Sequence, residues 1–276
     1  MPTMRKTKSL LISTPYILWM LAFTLIPLGV VGYYALTDPD TGALTFSNLA
    51  QIMEYLPILW KSVWYSLIAA FICLLIGYPV AYYIAHQGPV MQKILYMLVM
   101  LPMCMSFLLR PLAWVGLLQD TGIINSLLAK LGIGPVRMIR TAGAVILGMV
   151  YNYLPYMILP LYAIIVKIDN RLIEAAEDLG CNSLQVFSKV VLPLSMPGIL
   201  SGITMVFVPA VSTFYISQKL GGTETMLIGD VIERQFKQAY NPNVGAALSL
   251  VLMALVFVCT GIMNRLGGDE EGGVVV

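Results

Sequence analysis

The sequence predicts an all-α membrane protein with six transmembrane helices, and three observations carry that prediction. Of 276 residues, 59% are hydrophobic and 11% charged, with a mean hydropathy of +0.84; a soluble globular chain has about a quarter of its residues charged. Apolar runs span Leu10–Leu36, Ser62–Ala85, Ile94–Gln119, Thr141–Val166, Val190–Gln218 and Gln238–Asn264, each able to supply the roughly 20 residues that a spanning helix needs. Nowhere do short segments alternate apolar and polar residues as the strands of a membrane barrel would.

The first run follows Arg5, Lys6 and Lys8. It is too long for a cleaved leader and no A-x-A site follows it, so it reads as an uncleaved first helix. The second ends beside the lone His86, a surface residue at a helix end. The third contains Arg110, the single charge inside any run, and an intramembrane ionisable group is by default a functional candidate. Its sign argues against holding a cation directly. A structural role fits better, pairing with a carbonyl or an acid, or reaching the interface where Pro111 marks a helix break. The fifth run begins with Gly198-Ile-Leu-Ser-Gly202, a spacing that allows close helix contact. Prolines at 27, 79, 102, 111, 155, 160 and 209 each free a carbonyl and bend a helix.

Other chemistry is absent from the pattern. Cys73, Cys104, Cys181 and Cys259 have no metal-ligand spacing. There is neither a phosphate-binding loop nor an H-E-x-x-H zinc motif, and a net charge of +2 gives no reason to expect nucleic acid. No acid lies inside the runs, which argues against an ion-driven secondary carrier, the rival of another class. Six spans put both termini on one side. Counting basic residues barely chooses that side, but the cluster before the first helix favours a cytoplasmic N-terminus. Residues 267–276, three acids among glycines and valines, read as a disordered tail.

Between the fourth and fifth runs lies a charged, amphipathic stretch, EAAEDLGCNSLQVFSKVVLP, from Glu174 to Pro193. Asn170 is placed to cap a first short helix running to about Leu179, and Gly180 to end it in the left-handed conformation. Asn182 and Gln185 have capping-box spacing for a second helix, which Pro193 limits. Leu184, Phe187 and Val191 would form its apolar stripe. Glu174 and Asp178 share one face, while Ala175 and Ala176 leave a shallow surface suited to a groove. A protruding helix of this kind suits docking.

Glu174-Ala175-Ala176, then Gly180, then Val190-Val191-Leu192-Pro193 resembles the EAA loop of permease subunits of ATP-binding-cassette importers, with Val190 where the pattern has Ile. The resemblance extends over nearly the whole chain to the spermidine/putrescine importers. It is carried by Gly77-Tyr78-Pro79, Leu109-Arg110-Pro111, Val150 to Tyr162, Leu194 to Gly198, Pro209-Ala210, Phe214-Tyr215 and Gly221 to Gly229. Importers of ferric iron, sulfate and other small solutes share the framework, so an oxyanion or iron permease is the alternative within the class.

The resemblance implies a single permease domain over 1–276 in the bacterial inner membrane, with a transmembrane core at 62–264 and a cytoplasmic coupling loop at 167–198. It implies a non-catalytic subunit without a cofactor of its own, working with a second permease, an ATPase dimer that uses ATP and magnesium, and a soluble binding protein. ATPase coupling would fall to Glu174, Ala175, Ala176, Gly180, Val190, Leu192 and Pro193. For a polyamine in a dry passage, aromatic faces and carboxylates are the suitable chemistry. Tyr151, Tyr153, Tyr156, Phe214 and Tyr215, near the proline breaks, and Asp230 and Glu233, in the outer loop before the last span, are the pathway candidates.

Overall fold

Helices dominate the computed structural model, which describes residues 3–38, 42–45, 47–132, 134–239 and 241–267. In order these are α1 (Thr3–Leu36), α2 (Ser47–Ala85), α3 (Pro89–Met100), α4 (Leu109–Leu118), α5 (Ile123–Lys130) and α6 (Ala142–Ile165). Then follow α7 (Asn170–Asp178), α8 (Ser183–Leu194), α9 (Met196–Val211), α10 (Tyr215–Leu220), α11 (Ile228–Lys237) and α12 (Pro242–Gly267). Backbone groups in lipid have no water to bond, and continuous helix satisfies them internally. The expected tail beyond Gly267 lies outside the described residues.

Among the described residues five helical segments are long and apolar enough to cross a membrane, and α8 with α9, bent by 64°, makes a sixth span if the pair is counted as one. Two of the expected spans are nonetheless broken. Ile94–Gln119 is not one helix: α3 runs into a 3-10 turn at Leu101–Cys104, Met105 is extended, and α4 starts afresh at Leu109. Pro102 sits in that turn, and the Ser106 hydroxyl accepts from the Leu108 amide at 3.3 Å, satisfying a group that the break exposes. The segment that qualifies as a span there is Leu109–Lys130. Likewise Val190–Gln218 ends as a helix at Val211, and α10 is a separate element. By contrast, Pro155 and Pro160 lie inside an unbroken α6.

The chain divides into two compact units. One comprises residues 1–56 and 231–254, the other 57–230 and 255–276. In the first, the Asn48 amide donates to the carbonyls of Ala35 and Thr37 at 3.2 and 2.8 Å, and Asn243 donates to Thr37 as well, so side-chain amides close the end of α1.

The second unit holds the main core. Its most extensive pairing is α6 with α9. A Cβ on Gly202 would come within 2.6 Å of Met157 Sδ, and one on Gly198 within 3.1 Å of the Pro160 carbonyl. The Gly198–Gly202 spacing therefore does what it promised, bringing α9 against α6. In lipid, where apolar burial drives little association, such close dispersion contact is the main cohesive term. Met149, Met157, Leu161, Ile216 and Leu220 complete this interior.

Candidate functional site

Two places in the second unit gather candidate residues: the α7–α8 loop, and a cavity lined by residues of α4, α6, α9 and the segments that precede α4 and α10.

In the loop the predicted joint forms. Gly180 has φ +85°, and its amide bonds the Glu177 carbonyl at 2.8 Å while the Cys181 amide reaches Ala176 at 3.1 Å, as a left-handed helix stop requires. Asn182 and Gln185 make the reciprocal capping box, at 2.9 and 3.0 Å. The first cap is corrected by one residue: Asp169, not Asn170, accepts from the Arg171 amide at 3.0 Å. An ionised carboxylate there also suits the positive end of α7.

The apolar stripe of α8 also differs from expectation. Leu184 is 75% exposed, whereas Val186 and Val191 are buried and form a small core with Ala176. The reason is a π-helical turn over Phe187–Val191, which adds residues to one turn and rotates the later positions onto another face. It also lets α8 continue through Pro193 to Leu194, since a wider turn removes the clash between the proline ring and the preceding carbonyl. The bend falls at Ser195 instead.

That bend is tied to α2. Tyr78 Oη and Ser195 Oγ share a buried hydrogen bond of 2.7 Å. The Phe187 ring meets Tyr78 edge-on at 5.4 Å and Tyr82 at 6.2 Å. Glu174, Ala175, Asp178 and Gly180 face outward, and Ala176 turns inward. Val190 and Leu192 are half-buried and Pro193 is exposed. The loop thus presents an outer face that mixes acids with exposed leucines, Leu172, Leu179 and Leu184, while its inner face is clamped to α2.

The second place is a cavity of about 310 Å³ lined by Phe107, Arg110, Asn152, Tyr153, Tyr156, Pro209, Ser212, Thr213 and Phe214. Asn152 to Tyr156 lie about 15 to 21 Å along α6, a helix about 36 Å long, so the cavity is near mid-span. Arg110 is 5% exposed, and its Nη2 donates to the Met105 carbonyl at 3.1 Å across the break before α4. Among the described residues its Nε has no hydrogen-bond acceptor, and neither Asn152 Oδ1 nor Thr213 Oγ1 has a partner, although the Asn152 amide donates to Gly148 at 2.8 Å. Tyr153 Oη donates to the Pro209 carbonyl at 3.2 Å. The Tyr153 and Tyr156 rings are 6.3 Å apart.

Of the pathway candidates, the cavity gathers Tyr153, Tyr156 and Phe214. Tyr151 instead packs edge-on against Trp114 at 5.5 Å, and Lys219 Nζ lies 5.5 Å from the Tyr215 ring. Asp230 and Glu233 are not in a loop but on α11. Asp230 is buried, its carboxylate accepting from the Leu227 amide at 2.8 Å, and Glu233 pairs with Lys237 at 2.7 Å. Both acids are engaged in holding their own helix. Asn152 and Thr213 were missed by sequence reasoning; an asparagine in the middle of an apolar run was the available signal.

Comparison with known proteins follows the same lines. Residues 74–267 match the family described as "Binding-protein-dependent transport system inner membrane component". The spermidine/putrescine transport system permease protein PotB of Haemophilus influenzae is 41% identical over 260 residues, covering 90% of this chain and 91% of that one. Its Escherichia coli counterpart is 37% identical over 243 residues, covering 85% and 88%. Among solved structures, a bacterial alginate ABC transporter, in complex with an alginate pentasaccharide-bound periplasmic protein, superposes with a TM-score of 0.77 at 18% identity, over 96% of this chain and 95% of that one.

Proposed function

The chain belongs to the family of binding-protein-dependent transport system inner membrane components, and from that premise we propose that it is the permease subunit of an ATP-driven polyamine importer, docked on its ATPase through α7. The observation that carries this reading is the α7–α8 loop. Its EAA spacing folds into a capped helix, a left-handed glycine joint and a second capped helix, with Glu174 exposed on one side and Val186 and Val191 buried on the other. The names of the relatives supply the solute.

In this reading a second permease, two ATPase copies binding ATP and magnesium, and a soluble binding protein complete the assembly. The chain itself catalyses nothing and binds no cofactor. Movement of the ATPases would push α7 and α8, and the Ser195–Tyr78 bond with the Phe187 contacts would pass that push to α2 and the α8–α9 bend. Both termini and the loop would face the cytoplasm. Reporter fusions at Gln185 and near Lys130 test this placement, since Gln185 outside the cell breaks the coupling reading.

Reconstitution in liposomes provides the direct test. The full assembly should take up radiolabelled putrescine or spermidine only with ATP, and uptake should vanish when this chain is left out. Polyamine uptake by the lone chain under an ion gradient would replace the importer reading with a secondary carrier. One observation favours another solute: the buried guanidinium of Arg110 in the cavity suits an oxyanion. Competition by sulfate, with none by putrescine, would establish that second reading.

A further inference from the structure

A fixed positive charge in a passage for organic cations is a contradiction unless the charge has a task. Arg110 cannot be dismissed as a surface residue reaching for water, because it is 5% exposed and lines the mid-span cavity. Its single hydrogen bond, Nη2 to the Met105 carbonyl, leaves Nε without an acceptor. Among the described residues no carboxylate lies within salt-bridge distance of Arg110, and no acid occurs in the apolar runs. The guanidinium therefore carries into the cavity a charge that no described carboxylate offsets, and there it is screened less than in water.

Resting on the proposed function, we propose that Arg110 is an electrostatic barrier that keeps inorganic cations from leaking through the polyamine passage. Potassium, sodium and protons need a full set of oxygen ligands or a water chain, and in this cavity they meet one positive charge against two unpartnered neutral oxygens, Asn152 Oδ1 and Thr213 Oγ1. A fixed arginine repels such ions in other narrow pores by the same electrostatics. An organic ammonium has a further source of attraction. The faces of Tyr153, Tyr156 and Phe214 in the same cavity can hold a desolvated alkylammonium by cation–π contact, a contribution unavailable to a hydrated alkali ion that must keep its water. A polyamine is repelled more strongly in total than one alkali ion, but its charges are spaced along the chain, so the aromatic faces offset the field for one ammonium at a time; Arg110 sets the threshold that small ions, lacking that contact, fail to pass.

The test uses the full assembly in liposomes, turning over with ATP and binding protein, and reads potassium and proton leakage by ion-sensitive dyes. R110Q should leak at least about tenfold faster than the unaltered protein, while R110K should not. Because Arg110 also clamps Met105, a second pair of variants leaves it in place. N152D puts a carboxylate in the same cavity, neutralises the barrier and should leak about as fast as R110Q, whereas N152L should stay tight. The inference is overturned if R110Q and R110K leak alike, since the clamp alone would then explain the effect, or if N152D is no leakier than N152L. The leak needs no labelled polyamine to be measured. Failure of polyamine uptake by the unaltered assembly would sink the transport reading, while tight R110Q and N152D assemblies that still import polyamine would sink only this one.

Discussion

The α7–α8 loop and the mid-span cavity differ in the range over which each is assembled. Every turn of the loop is built by residues within a few positions of one another: Asp169 caps Arg171, Asn182 caps Gln185, and Gly180 closes on Glu177. The cavity is built by residues distant in the chain, with Tyr153 bonded to Pro209 and Arg110 brought beside Asn152. Local rules determine the first and helix packing the second. Substitutions in the loop should therefore act on coupling with little effect on the bundle, and substitutions around the cavity should act on stability and passage together.

The sharpest way to break that contrast is Gly180→Leu. A Cβ there meets nothing within 4 Å, so sterics with neighbours play no part. Only the left-handed φ of +85° opposes a side chain, by roughly 1–2 kcal/mol, and this strain is relieved by reorienting α7. Uptake should fall at least about tenfold and ATPase co-purification should weaken, with the melting temperature of the bundle unchanged. If uptake and co-purification are both normal, the joint is not a coupling element.

Next in size is Gly148→Ala, on the packing side of the comparison. A Cβ at that position would collide with the Leu220 side chain and come within 2.9 Å of Ile216 Cγ2. Overpacking of this kind costs about 1–3 kcal/mol, and Gly148 also offers the carbonyl that holds Asn152. Thermal denaturation in detergent should show the loss, together with reduced uptake. Full stability with normal uptake would mean that α10 yields freely and that the cavity does not depend on the packing of Gly148 against Leu220 and Ile216.

Legibility in the sequence follows the same division. The amphipathic loop, its glycine joint and its capping box could be read because the residues that decide them are adjacent, and Val190-Val191-Leu192-Pro193 ended the motif where expected. The π-helical turn could not, because nothing in Phe187-Ser188-Lys189-Val190-Val191 signals a widened turn until Pro193 must be accommodated. Six apolar runs were visible, but hydropathy alone does not record that α3 stops near Pro102 and that α4 starts again at Leu109. Asp230 looked free to meet a cation because sequence shows its charge and not the Leu227 amide that it accepts from. The grouping of Arg110 with Tyr153, Tyr156 and Phe214 depended on which helix faces meet. Tyr151, on the same helix, turns to Trp114 instead.

A smaller effect is expected from Tyr153→Phe. It removes the hydroxyl that bonds the Pro209 carbonyl, at about 1 kcal/mol, but keeps an aromatic face in the cavity. Uptake should change less than for Tyr153→Leu, which removes both. Equal loss in the two variants would show that the hydroxyl matters and the ring face does not, removing the support for an ammonium contact at this residue.

The smallest expected effect tests the loop from within. Asn182→Ala removes one half of the capping box, the side-chain oxygen that accepts from the Gln185 amide, and leaves the backbone amide of residue 182 to donate to Gln185 Oε1, for about 1 kcal/mol. That cost falls on the first turn of α8 alone. The rest of α8 is held by Val186, Val191 and the Phe187 contacts with Tyr78 and Tyr82, which the substitution leaves untouched. Hydrogen exchange should therefore rise at residues 183–186 and not at 187–194, with a two- to threefold loss of uptake at most. Faster exchange through the whole of α8 would mean that the cap, and not the clamp on α2, holds the helix in place. The loop would then be local in its stability as well as in its shape, and the proposed transmission through Ser195 and Tyr78 would lose its mechanical basis.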